Sequence, residues 1–172
     1  MARVVVLVEG ESDRVALLTL AACRGRDLAA DGIEVVGMDG ITNAYAHLQR
    51  YATTGVRLAG LYDAAEEAHL RSALDRAGVA ADGFFGCDPD LEYELIRALG
   101  VAAVEGVIEA QGELRSLRLL AGMPAQQGWG SEQVLHRFIG VRAGRKARYA
   151  RLLVEALDLS AVPWPLDAVL EV

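Results

Sequence analysis

The apolar positions in the first half of the chain come in short unbroken runs, each stopped by an acid or a glycine. Val4-Val5-Val6-Leu7-Val8 has no polar break and ends at Glu9-Gly10. A run without alternation predicts a strand buried on both faces, as in a parallel sheet. Gly10 suits a sharp turn, Ser12 suits a helix N-cap, and Val15-Ala16-Leu17-Leu18 carries a helix to about Arg24. Asp31-Gly32 leads into a second strand over residues 33–38, and Thr42 or Asn43 can cap a short helix to Tyr51 that Gly55 closes. A third strand from Arg57 to Tyr62 ends in Asp63; a helix from Ala64 to Ala77 follows and Gly78 ends it. A fourth, shorter strand over residues 83–87 stops at Asp88-Pro89-Asp90, before a helix opening with Leu91-Glu92. Alternation at this spacing predicts an α/β fold, with a mainly parallel four-stranded sheet flanked by helices.

After about Gly100 the period changes and strand signals vanish. Residues 101–111, 113–121, 131–138 and 144–158 read as helices, with Ser131 as a cap, and Pro163-Trp164-Pro165 leads into a short terminal helix. The expected organisation is an α/β domain over residues 1–100 and an all-helical extension over residues 101–172 packed on it.

Three predicted strands end in acids: Glu9, Asp63, and Asp88 with Asp90. A parallel sheet puts those ends on one rim, where open α/β sheets bind ligands. Converging carboxylates repel unless a cation lies between them or some are protonated, so Glu9, Asp13 and Asp63 suggest a hard divalent cation held by oxygen. Each acid also has a plainer reading. Glu11 and Asp13 suit the first turn of a helix, Asp90 can serve as a helix cap, and Asp88 can start the Pro turn.

Composition narrows the choices. With 172 residues and 53% apolar content the chain can bury a sizeable core, yet aromatics are only 6%, so Val, Leu, Ile and Ala must build it. A net charge of −7 gives no bulk attraction to nucleic acid, so a phosphate ligand needs cations or a local basic patch. Cys23 and Cys87 match no metal spacing and fit a reducing, cytoplasmic setting. The N-terminal apolar run is too short for a signal sequence or a membrane span, so no membrane partner is expected. Neither a GxxxxGK[ST] loop nor a GxGxxG turn occurs, so no ATPase is expected within the sequence itself.

Positive charge is concentrated late. Residues 133–154 contain no acid but hold Arg137, Arg142, Arg145, Lys146, Arg148 and Arg151. The sequence has a single lysine, Lys146, and a lysine supplies a compact point charge that a guanidinium does not. On a helical wheel Arg145, Arg148 and Arg151 share an outer face, whereas Lys146 lines up with Tyr149, Ala150, Leu153 and Leu157 on the inward stripe. A lysine so placed either snorkels outward or meets an anion.

Glu9-Gly10-x-x-Asp13 after a first strand, an acid after a later strand, Asp90-Leu91-Glu92 and Gly144-Arg145-Lys146-Ala147 together resemble the TOPRIM fold in the branch of the OLD (overcoming lysogenization defect) nucleases. The likeness runs over nearly the whole chain. It implies a metal-dependent DNA endonuclease or nickase that uses one or two Mg²⁺ or Mn²⁺ ions. Glu9 and Asp13 would be metal ligands, with Glu9 also a general base; Asp63 would be the first acid of a DxD element, and Asp90 and Glu92 would serve a second metal. Lys146 would steady charge at the scissile phosphate. Arg142, Arg145, Arg148 and Arg151 would contact DNA. Two cations about 4 Å apart stabilise both the attacking and the leaving oxygen in such chemistry. In OLD nucleases an ATPase domain precedes the TOPRIM region, which makes a separate ATPase an expected partner here, and a homodimer is compatible with the reading. The sequence departs from the family at one place: the DxD element reads Asp63-Ala64-Ala65. That departure keeps open an alternative, a weak or inactive TOPRIM module that binds DNA or a partner protein. A receiver-like phosphotransfer domain with Asp63 as acceptor is a third reading.

Overall fold

The computed structural model describes residues 2–142 and 144–172. Four strands, β1 (Val4–Val8), β2 (Ile33–Gly37), β3 (Arg57–Asp63) and β4 (Phe84–Cys87), form one sheet in the order β2-β1-β3-β4. Every pairing is parallel, and the register sets Val4 against both Ile33 and Arg57, and Asp63 against Cys87. All four carboxyl ends therefore lie along one rim.

The unbroken Val run behaves as a central strand should. Val5, Val6, Leu7 and Val8 are all fully buried, and alternate side chains serve opposite layers because successive residues of a strand point to opposite faces. Val5 and Leu7 join the core under α2 (Ala44–Ala52) and α3 (Glu67–Ala77). Val6 and Val8 join the larger core beneath α1 (Glu11–Cys23) and the helices that follow the sheet. Gly60 in β3 marks a close approach of strands: a Cβ there would come within 2.5 Å of the Leu7 carbonyl oxygen.

The helices that follow β4 share one core with the sheet and α1. Helices α4 (Leu91–Leu99), α5 (Val101–Ala110), α6 (Leu114–Ala121), α7 (Ser131–Gly140), α8 (Arg145–Ala156) and α9 (Trp164–Leu170) bury a common set that includes Leu95, Ile108, Phe138, Tyr149, Leu153 and Leu166. Helix α8 lies along α1, and α9 packs on β3 and β4. This docking brings Lys146, at the start of α8, to the rim near Glu9. Among the described residues no helix is long and apolar enough to cross a membrane.

Several local expectations change. Gly10, not Ser12, is the N-cap of α1, and its φ of −144° is extended backbone open to any residue, so no sharp glycine turn occurs there. Gly130 rather than Ser131 caps α7. The Asn43 side chain donates to the Met38 and Asp39 carbonyls instead of capping α2. Gly78 does end α3 in the left-handed conformation, with φ 65°.

Candidate metal centre

A cleft of about 400 Å³ opens at the rim, and Glu9, Asp13, Asp63, Glu92 and Lys146 all line it. Each carboxylate arrives by a simple local device. Glu9 is the first residue beyond β1 and Asp63 the last of β3. Asp13 lies in the first turn of α1, where its Oδ2 accepts the Gly10 backbone N–H at 2.9 Å. That hydrogen bond ties up an end donor of the helix and fixes the carboxylate beside Glu9. Glu92 lies in the first turn of α4 and is only 3% exposed. Its Oε2 meets the Lys146 ammonium at 3.2 Å.

Asp90 stands at the edge of this group. It caps α4, its Oδ1 accepting the Tyr93 N–H at 2.9 Å, while its Oδ2 lies 2.6 Å from His136 Nε2 on α7. The His136 ring stacks on Tyr93 with centroids 4.4 Å apart. Asp90, Glu92 and His136 each offer a ligand atom, and these atoms all lie within 4.8 Å of one another.

The electrostatics are those of too many acids in too little water. Burial, followed by the charges of Glu92 and Glu9, pushes Asp13 up to about 6, although the Gly10 hydrogen bond opposes this. Burial, then Asp13, Glu9, Asp90 and Glu92, pushes Asp63 up to about 7. Burial also raises Glu9, and Glu66 is the largest charge adding to it. Burial pulls the Lys146 ammonium down, but Glu92, with Asp90 and Asp63, outweighs it and the net direction is up. Burial would raise Asp90, yet the His136 and Tyr93 hydrogen bonds turn it downward.

Two oxygens in this group, Glu9 Oε2 and Glu92 Oε1, are buried with no hydrogen-bond partner. A buried acceptor left unpaired is costly, and a divalent cation would satisfy both while relieving the mutual repulsion of the acids. The donor set, carboxylate oxygens with one imidazole at its edge, suits such an ion.

The structure thus brings together Glu9, Asp13, Asp63, Glu92 and Lys146, with Asp90 adjacent. Lys146 heads the stripe of Tyr149, Ala150, Leu153 and Leu157, all buried, and of the two outcomes open to it the structure shows the anion: its half-exposed side chain meets the buried Glu92. The missing DxD acid falls at Ala65, in an exposed turn after β3. Of its acidic neighbours, Glu66 acts on Glu9, whereas Arg71 holds Glu67 on the outside at 2.6 and 2.8 Å.

The basic segment needs a larger correction. Arg145 is not on an outer face: it is 5% exposed, donates to the Phe138 carbonyl at 2.9 Å and lies over the Phe138 ring. Its guanidinium also donates to Glu113 Oε1 at 3.2 Å, and Arg148 and the Tyr149 hydroxyl donate to Glu113 Oε2. Arg145 is therefore committed inside the protein and Arg148 is shared with Glu113, while Arg142 and Arg151 stay exposed. The wheel failed because Arg145 packs on Phe138 of α7 and on Glu113 just ahead of α6, so this position of the first turn faces protein rather than solvent. Sequence reasoning also passed over His136 and Glu113. Each lies more than 30 residues from its partner, at separations of 46 and 32–36, and neither belongs to a local motif.

Comparison with known proteins bears on the fold and on the N-terminal part of the chain. No curated protein matches the chain. Residues 1–64 match the family described as overcoming lysogenization defect protein-like, TOPRIM domain. The C-terminal region of the Xanthomonas campestris pv. campestris OLD protein is similar with a TM-score of 0.72 and 25% identity, over 99% of this chain and 94% of that one. The C-terminal region of the Burkholderia pseudomallei OLD protein has the same fold, with a TM-score of 0.70 and 22% identity, over 99% and 96%. Residues 1–64 are thus matched to the OLD-like TOPRIM domain, and the chain as a whole has the fold of the C-terminal region of OLD proteins.

Proposed function

We propose that this protein is a metal-dependent phosphodiesterase acting on DNA, an endonuclease or nickase. One observation carries the reading: the single lysine of the chain is delivered by α8 into a cleft of unsatisfied carboxylates at the sheet rim. Glu9, Asp13 and Asp63 would hold a Mg²⁺ or Mn²⁺ ion, with Asp90 and Glu92 available to a second. The bound cation would supply Lewis-acid stabilisation of charge on the phosphate. Glu9, with its proton affinity raised by burial, would accept the proton of the attacking water. Lys146 would give its ammonium to the phosphate oxygens, and its half-exposed side chain leaves it free to swing from Glu92. The exposed Arg142 and Arg151 would hold the DNA backbone near the cleft.

A plasmid-nicking assay with Mg²⁺, Mn²⁺ or EDTA tests this. The wild type should nick with metal and not with EDTA. Lys146→Ala should cut about 10²–10³-fold more slowly, as when one charge-stabilising donor is removed, and Lys146→Arg should rescue poorly. No cutting with any metal, or full activity in Lys146→Ala, would overturn the proposal. Ala65 favours a second reading, a DNA-binding module of low activity. A nuclease weakened by the missing acid should nick faster as Ala65→Asp, whereas a wild type that never cuts and an Ala65→Asp change that does nothing would favour the binding module.

A further inference from the structure

The site contains a nitrogen donor that the acid motifs do not announce. His136 approaches from α7, beside the cleft, and its Nε2 lies 2.6 Å from Asp90 Oδ2. Glu92 is 3% exposed, and the two oxygens of its carboxylate differ: Oε2 is held by Lys146, while Oε1 is buried and unpartnered. Asp90 Oδ1 is occupied by the Tyr93 N–H. One donor atom from each of the three side chains therefore falls within a 4.8 Å triangle.

We propose that His136 is a metal ligand, completing with Asp90 and Glu92 a mixed nitrogen–oxygen site that selects a first-row transition ion over Mg²⁺. The inference rests on the reading of the cleft as a cation site and adds the identity of the ion at its α4 side. An octahedral ion with bonds of about 2.1 Å keeps adjacent donors about 3 Å apart and opposite donors about 4 Å apart. The His136–Asp90 pair is already close to the adjacent spacing, and the donor atoms of all three residues lie within 4.8 Å of one another, so side-chain shifts of about 1–2 Å bring them to octahedral spacing. Stacking on Tyr93 holds the imidazole plane, so little side-chain freedom is lost when the ion binds. Mg²⁺ strongly prefers oxygen and its own water, whereas imidazole suits later first-row ions. A purely carboxylate rim would not discriminate in this way.

Mn²⁺ is a convenient probe, because pulsed electron paramagnetic resonance detects a directly bound ¹⁴N. His136→Gln is the decisive variant: its amide can still donate to Asp90 Oδ2, but it removes the imidazole nitrogen. The wild type should show ¹⁴N coupling to bound Mn²⁺, and His136→Gln should lose it with an unchanged melting temperature in metal-free buffer. The Mn²⁺-to-Mg²⁺ affinity ratio should fall about 10–100-fold in the variant. If His136 only positions Asp90, Mn²⁺ will bind without ¹⁴N coupling and His136→Gln will keep the wild-type ratio; the proposal then fails while the cleft remains a cation site. Coupling that persists in His136→Gln would assign the nitrogen elsewhere and also overturn it. Failure of the wild type to bind Mn²⁺ at all would remove both this inference and the reading beneath it.

Discussion

Two clusters of charge meet at the first turn of α8, one through Arg145 and the other through Lys146, and they are built on opposite rules. Around Glu113 every acceptor is met: Arg145 and Arg148 bring guanidinium groups and Tyr149 brings a hydroxyl. Burial alone would raise Glu113, but these partners, Tyr149 first, turn its proton affinity downward. At the rim the balance is reversed. Glu9, Asp13 and Asp63 are all raised, two buried oxygens have no partner, and a single ammonium faces the group. A cluster that satisfies itself holds α6 to α8. A cluster that leaves its acceptors open is relieved by protonation or by a bound cation, and the proposed function assigns it the cation.

The largest effect should come from breaking the closed cluster. Glu113→Ala leaves the buried Arg145 guanidinium without its counter-charge, and removing one member of such a pair costs about 3–5 kcal/mol. Urea denaturation should show that loss, whereas Glu9→Gln in metal-free buffer should be neutral or stabilising because it relieves repulsion. Equal destabilisation by both changes would erase the contrast between the clusters.

Metal should sharpen the contrast next. A cation bound only by the native state stabilises it by about 2.7 kcal/mol at a hundred times its dissociation constant. Thermal melts with and without Mn²⁺ should show this gain in the wild type and lose it in Asp63→Asn.

The two regions should also pull in opposite directions with pH. Asp13 and Asp63 bind protons more tightly when folded, near 6 and 7, than their ordinary value of 3.8. The folded state then holds more protons than the unfolded one between about pH 4 and 7, so the rim's contribution to stability in metal-free buffer falls as pH rises through that window. Glu113 has the reverse sign: its folded proton affinity is lowered, so its contribution is present above the ordinary glutamate range and is lost as pH falls below it. Metal-free melts of the wild type from pH 4 to 8 should show the first trend, and Asp63→Asn should flatten it. A wild-type stability that rises across the window would contradict the electrostatic picture of the rim.

The smallest effects belong to the exposed arginines. Arg151→Ala removes only an exposed contact with Glu155 at 3.9 Å, so stability should change by less than about 0.5 kcal/mol. DNA affinity should weaken, and the slope of log K against log salt should become shallower by about 0.9 if one phosphate contact is lost. An unchanged slope would place the DNA path away from α8.

How much of this could be read from the chain depends on distance along it. The sheet was legible because Val4–Val8 and Arg57–Asp63 carry their burial in their own composition, and their acidic ends fall on one rim once the strands are parallel. Lys146 stood out by being the only lysine. Arg145 was misplaced because a helical wheel knows the phase of a helix but not where its neighbours lie. The six helices after β4 could be read one by one from the sequence, but how they pack on one another carries no local signal. His136 and Glu113 were invisible for the same reason: their partners are brought to them by packing between helices. Gly10 was over-read, since the capping N–H that it offers Asp13 needs no special conformation.

The central claim, that the open cluster is a cation site and the closed one is not, is tested most directly by titrating Mn²⁺ into the metal-free protein in a calorimeter. The comparison uses the wild type, Asp63→Asn and a Glu113→Gln variant checked for folding. The account predicts saturable binding in the wild type and in Glu113→Gln, and at least a tenfold weaker isotherm in Asp63→Asn, roughly the loss of 1.4 kcal/mol or more. Identical isotherms for the wild type and Asp63→Asn would contradict it.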